Sequence, residues 1–226
     1  MIKIGDLELG TRPEILAVID EKIPVREILD LKQQGVGLLE VRVDCFNLPI
    51  SEILEYVREV RESVHLPIIG TVRETEFNHK SRVDIFRKII PFVDCIDIEL
   101  GCEISDEVVK LGEGKTIMVS EHDFTGTPSL TDLQMIVQRA LTQGADIIKI
   151  AAMADSTEDV RRLLRFTDNS KEPLVTIAMG PVGAVTRLIA PLFGSLFTYG
   201  YVNKPVAPGQ LSVYKLLEEF HLYYRQ

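Results

Sequence analysis

The sequence predicts one (β/α)8 barrel of the α/β class, a TIM barrel forming a single domain over 1–226, on three observations. Eight short β-branched or apolar runs recur along the chain, and stretches of helical periodicity lie between them. No shift in composition, linker or low-complexity segment divides the chain. Alternating strand and helix implies parallel strands joined by right-handed crossovers. Eight such units point to a closed barrel rather than an open sheet, and 226 residues is a length at which such a barrel is one domain.

In order, the strand-like runs are EILAVID (14–20), GLLEVRVD (37–44), PIIGTVR (67–73) and CIDIEL (95–100). KTIMVSEHD (115–123), ADIIKIA (145–151), PLVTIAM (173–179) and LFTYG (196–200) follow. Between the second and third, Ile53, Leu54, Val57 and Val60 fall on one helical face. Between the fifth and sixth, Leu130, Leu133, Ile136, Val137, Ala140 and Leu141 do the same, with Ser129 as a candidate N-cap and Gly144 as a stop.

Composition narrows the functional classes. A content of 46% hydrophobic and 26% charged residues is that of a globular chain rather than a disordered one. The net charge of −9 argues against wholesale nucleic-acid binding. Three cysteines without metal-ligand spacing suit a reducing compartment. The opening residues lack a basic segment followed by an apolar stretch, and no apolar run approaches the length of a membrane span. The expectation is a cytoplasmic protein with no membrane and no nucleic-acid partner.

In such barrels the chemistry collects at the C-terminal ends of the strands. Polar residues interrupt the apolar runs there: Glu40 and Arg42 in the second, Arg73 after the third, Glu99 in the fourth, His122 in the fifth and Lys149 in the sixth. The seventh leads through Met179 and GPVG to Arg187, and the eighth offers Tyr199 before a Pro/Gly loop ending at Gln210. Glu40, Arg42, His122 and Lys149 alternate with apolar neighbours, so period-two geometry can turn them together into the barrel. Outward-facing strand residues meet helices, which leaves a charged strand residue few harmless positions. GPVG is a weak match to a phosphate cradle. His65, His79 and His221 have no partner pattern.

Lys149 stands between Ile148 and Ile150. Only a neutral amine attacks a carbonyl, and apolar walls with neighbouring cations disfavour an ammonium; this is how Schiff-base lysines are activated. A histidine at the same mouth can accept and donate protons in sequence. With Arg42, Arg73 and Arg187 nearby, the residues point to a cofactor-free, metal-free Schiff-base enzyme acting on a small carbonyl-containing anion. No His-x-His or carboxylate–histidine spacing suggests a metal site.

The motifs LLEVRVD, TVR, SEHDF, GADIIKIA, AMGPVGAVTRLIAPLFGSLFTYG and APGQLSV, in that order and spanning the chain, resemble type I 3-dehydroquinate dehydratase, a hydro-lyase of the shikimate pathway that serves aromatic amino-acid biosynthesis. The resemblance implies 3-dehydroquinate as substrate, no cofactor, an imine between Lys149 and the ring ketone, and His122 as general acid and base. Water then leaves by syn elimination to give 3-dehydroshikimate. It also implies that Arg187 pairs with the substrate carboxylate and that Gln210 closes over the ring. Glu40, Arg42 and Arg73 would hold the ring hydroxyls, and Met179 and Tyr199 would form apolar walls. A homodimer enters only through the resemblance.

Two positions depart from the family pattern. Val206 stands four residues before Gln210, where many members have serine. Phe77 stands four residues after Arg73, where many have glutamate, with Glu76 one residue early. If that glutamate supports the histidine, Glu76 or Glu99 is left to do so here. The rival readings are a class I aldolase acting on a small phosphorylated sugar, which would want a phosphate nest where Arg187 lies, and a non-catalytic binding barrel, which would not need both Lys149 and His122.

Overall fold

The computed structural model describes residues 2–224. Eight parallel strands alternate with helices: β1 (Glu14–Ile19), β2 (Val36–Arg42), β3 (Ile68–Thr71), β4 (Cys95–Glu99), β5 (Thr116–Asp123), β6 (Ile147–Met153), β7 (Leu174–Met179) and β8 (Phe197–Tyr201). They pair in the order β8-β1-β2-β3-β4-β5-β6-β7, and a two-residue strand, Leu211–Ser212, adds to β8. The sheet closes without a ladder between β7 and β8: Leu196 N donates to Leu174 O at 2.9 Å, and Thr176 N to Ser195 Oγ at 3.1 Å. The fold is a (β/α)8 barrel.

The helices are α1 (Val25–Gln34), α2 (Ile50–Val64), α3 (Arg82–Ile89), α4 (Ser105–Leu111), α5 (Leu130–Thr142), α6 (Thr157–Asn169), the short α7 (Thr186–Ile189) and α8 (Val213–Tyr223). Ser129 caps α5 by accepting from Asp132 N, and Gly144 in the left-handed region turns the chain away just beyond its end. Ser156 and Asp159 form a reciprocal capping box on α6.

Strand alternation divides the apolar residues into two bodies. Ile15, Ala17, Leu39, Val41, Ile96, Ile98, Val119, Ile148 and Ile150 face outward and pack under the helices. Leu16, Val18, Leu38, Ile69, Cys95, Met118, Ile147, Val175 and Phe197 face inward and fill the lower barrel. Each fully buried aliphatic side chain contributes about 1.5–3 kcal/mol. An N-terminal hairpin, Lys3–Ile4 with Leu7–Glu8, plugs the bottom with Ile4 and Leu9. Strands of two residues carry no readable periodicity, so the sequence does not predict this hairpin.

Going up the barrel, the inward side chains change from apolar to polar on adjacent strands. The series runs Leu38, Glu40, Arg42 on β2; Ile69, Thr71 on β3; Cys95, Asp97, Glu99 on β4; Met118, Ser120, His122 on β5; and Ile147, Lys149, Ala151 on β6. Register holds these layers level, with Thr71 opposite Asp97, Glu99 opposite Ser120, and Ser120 opposite Lys149. The run read as 145–151 is in fact 147–153, so Lys149 lies inside its strand rather than at its end.

Candidate active site

The upper barrel opens into a pocket of about 330 Å³. Glu40, Arg42, Arg73, Glu99, His122, Lys149, Met179, Arg187, Tyr199 and Gln210 all line it, so ten of the eleven residues singled out in the sequence meet there. The eleventh, Glu76, does not. It is exposed on the loop between β3 and α3, bordering a separate surface depression with Glu74, Thr75 and His79.

Lys149 is 5% exposed, and its Nζ donates to Asp97 Oδ2 at 3.1 Å. Glu40 Oε1 lies 3.7 Å away, and the Tyr199 ring centroid 4.2 Å, within cation–π range. This corrects the expectation of cationic neighbours. The groups in contact with the ammonium are two carboxylates and an aromatic face; Arg42 is held by Asp44, and Arg73 meets the lysine through the carboxylate they share, Asp97. Arg42 makes a two-pronged contact with Asp44, at 3.1 and 2.6 Å. Arg73 donates to Ser120 Oγ at 3.1 Å and to Asp97 Oδ1 at 3.3 Å, and lies 3.4 Å from Glu99.

Asp97 joins these groups. It is fully buried and also accepts from Ser120 Oγ at 2.6 Å. Burial alone would raise its pKa, but Lys149 and Arg73 hold the carboxyl well below the usual range, so it stays ionised. Glu40 accepts from Thr71 Oγ1 at 2.8 Å, which fixes the second carboxylate. The sequence reading missed Asp97, Ser120 and Thr71. Asp97 carried a usable signal, standing between Ile96 and Ile98 as Lys149 stands between Ile148 and Ile150.

His122 lies one inward position above Ser120, with its ring stacked on Phe124 at a centroid distance of 6.3 Å. Burial, then the positive charges of Lys149 and Arg73, push its pKa down to about 3, so it is a neutral imidazole near neutral pH. Among the described residues neither Glu99 nor Glu76 hydrogen-bonds it. Glu99 is held instead by Arg82, a buried residue of α3 whose Nε also donates to Val72 O at 2.6 Å. Arg82 acts across ten residues of chain and carries no sequence signal. Phe77 is 96% exposed, outside the pocket.

Arg187, 2% exposed, donates from Nε to Gly209 O at 3.0 Å and from Nη1 to Tyr199 O at 3.3 Å. Its buried Nη2 has no hydrogen-bond partner. Burial lowers its pKa to about 10, which leaves it charged at neutral pH. A buried, cationic, partnerless N–H group at a pocket wall is suited to an anion. GPVG forms one helical turn, Gly180–Gly183, and serves as a dock: Gly180 N donates to Pro208 O at 3.2 Å. A Cβ on Gly209 would lie 2.3 Å from Gly180 O, so only glycine permits that approach. Gln210 Oε1 accepts from Val206 N at 2.8 Å, and Val206 and Ala207 complete the wall.

Among the described residues no cluster of metal-ligating side chains occurs, and no helix is long and apolar enough to cross a membrane. Residues 16–226 match the family model described as Type I 3-dehydroquinase. The chain is 38% identical over 214 residues to 3-dehydroquinate dehydratase of Methanocella arvoryzae, covering 91% of this chain and 94% of that one. It is also 38% identical over 232 residues to the Methanosarcina barkeri 3-dehydroquinate dehydratase, covering 94% and 96%. Among solved structures it is similar to 3-dehydroquinate dehydratase of Geobacillus kaustophilus, with a TM-score of 0.82 and 31% identity over 99% of this chain and 97% of that one.

Proposed function

The chain belongs to the type I 3-dehydroquinase family, and from that premise we propose that it dehydrates 3-dehydroquinate through an imine on Lys149. It is a hydro-lyase of the shikimate pathway. The observation that carries the mechanism is one pocket holding a buried lysine, a neutral histidine and an arginine with an unused donor.

The substrate carboxylate pairs with Arg187 Nη2, which places the ring ketone over Lys149. Lys149 gives a proton to His122 and adds to the ketone; the carbinolamine hydroxyl then takes that proton back and leaves as water, which forms the iminium and restores neutral His122. Asp97 and Glu40, which hold the ammonium, are placed to stabilise the cation that replaces it. His122 then takes a proton from the carbon next to the iminium carbon; the C–H electron pair forms a C=C bond to the former iminium carbon, and the C=N π pair moves onto nitrogen to give an enamine. The enamine expels the β-hydroxyl, which leaves as water with the proton returned by the His122 imidazolium. Water adds to the conjugated iminium and releases 3-dehydroshikimate and free Lys149. The balance is one substrate to one product and one water.

His122 is unprotonated near neutral pH and so free to accept the proton, and its lowered pKa makes the imidazolium a ready donor to the departing hydroxyl. Glu40, Arg42 and Arg73 face the ring hydroxyls, Met179 and Tyr199 pack on the ring, and Gln210 covers it. The activity resides in one barrel domain, 1–226, located in the cytoplasm and acting as a homodimer. The test is turnover of 3-dehydroquinate, followed by absorbance of the conjugated product. Lys149→Met should lose at least about a thousandfold in kcat. Turnover by Lys149→Met close to that of the parent would rule the imine out.

A further inference from the structure

Asp20 follows the last residue of β1 and is 1% exposed, yet neither of its carboxylate oxygens accepts a hydrogen bond from another residue. Along β1 the inward positions run Leu16, Val18 and then Asp20, so the carboxylate stands one layer above Val18 of the pocket wall. A buried charge without a donor costs free energy, and a fold keeps one only where something offsets it. Burial raises the Asp20 pKa, in keeping with that cost. Arg42, the nearby barrel cation, is committed to Asp44 through both prongs.

The group that does face Asp20 is Lys204, with Nζ 4.0 Å from Oδ2 and a side chain 70% exposed. Lys204 lies in the segment 202–210 after β8, which brings Val206, Ala207 and Gln210 to the pocket. The far half of that segment is fastened by Gly180 to Pro208, Arg187 to Gly209, and the Val206–Gln210 bond. Among the described residues, the tie of 203–205 to the barrel is the Lys204–Asp20 pair. At 4.0 Å this is an ion pair at the edge of contact, not a completed hydrogen bond.

We propose that Asp20 is a positioning residue, the catch onto which Lys204 closes to hold segment 202–210 over the bound ring. Closing the gap satisfies the buried carboxylate, desolvates the lysine on a carboxylate already out of water, and draws Val206, Ala207 and Gln210 down together. The pair thereby governs how tightly substrate is retained and how well the imine is kept from water, rather than the chemistry itself. The proposal rests on the pocket being the substrate site.

The test compares Asp20→Asn, Lys204→Met and the double variant. Each single variant is expected to raise KM for 3-dehydroquinate about 5- to 20-fold, with kcat within about threefold of the parent. The double variant should match the worse single variant, because both remove one contact. Limited proteolysis supplies the second readout. Substrate should protect segment 202–210 in the parent chain but not in the variants. Asp20→Asn should melt no lower than the parent, since it removes an unpaired buried charge. Parent-like KM and protection in both singles, multiplied effects in the double, or a fall in Tm of more than about 5 °C for Asp20→Asn would each overturn the catch. If the parent chain fails to turn over 3-dehydroquinate at all, the substrate reading fails. Proteolysis without ligand, faster in Lys204→Met than in the parent, still reads the catch in that case.

Discussion

Asp97 reaches Lys149 with one oxygen, at 3.1 Å, and with the other accepts from Ser120 and Arg73. A single fully buried carboxylate thus fixes the amine on β6, the hydroxyl on β5 and the guanidinium beyond β3. Removing one partner of a buried pair leaves an uncompensated charge and typically costs about 3–5 kcal/mol. Asp97→Asn is expected to lower stability by that amount in urea titration and to lower kcat at least about a hundredfold. A variant with parent-like stability and kcat would show that the amine is oriented by Glu40 alone.

The proposed anion site at Arg187 depends on the guanidinium fork as well as on its charge. Nε and Nη1 are occupied by backbone carbonyls, which leaves Nη2 of this pocket-lining residue without a partner. Arg187→Lys keeps a cation but cannot reproduce those two backbone bonds and also present a third donor in the same fork geometry. A loss of about 10²–10³ in kcat/KM is expected, checked by steady-state kinetics with 3-dehydroquinate.

Acid should destabilise the fold in two windows. His122 has a folded-state pKa of about 3 against an ordinary value of 6.5, so between those values the unfolded chain binds the extra proton. Stability therefore falls as pH drops from about 6.5 towards 3, with a slope of up to about 1.4 kcal/mol per pH unit. Asp97, held below its ordinary value of 3.8, contributes stability above that pH and loses it as pH falls further. His122→Asn should flatten the upper window and leave the lower one intact, as read from urea midpoints at successive pH values.

Ser156, which does not line the pocket, provides a contrast. It accepts from Asp159 N at 3.3 Å in the α6 capping box. Ser156→Ala should cost about 1 kcal/mol, or about 2–4 °C in Tm, with kcat and KM unchanged. Altered kinetics in this variant would mean that α6 is coupled to the pocket.

The barrel and its mouth were legible because strand alternation is a local signal. Lys149 between isoleucines, Glu40 and Arg42 two apart, and His122 after Ser120 all state their inward direction in the sequence. Asp97 states it equally clearly in CIDIEL, but attention to the strand end favours Glu99, which the structure ties to Arg82 and Arg73. What was not legible depends on reach across the fold. The carboxylate surroundings of Lys149, the docking of Gly209 on Gly180 and the hold of Arg82 on Val72 join residues that no periodicity relates.

The central claim is that Lys149 forms the imine. The direct measurement is intact mass and peptide mapping of the protein treated with sodium borohydride in the presence of 3-dehydroquinate. A reduced covalent adduct is expected on the peptide carrying Lys149, with no adduct when substrate is left out. An unmodified protein that nonetheless turns over substrate, or an adduct mapping to another lysine, would contradict it.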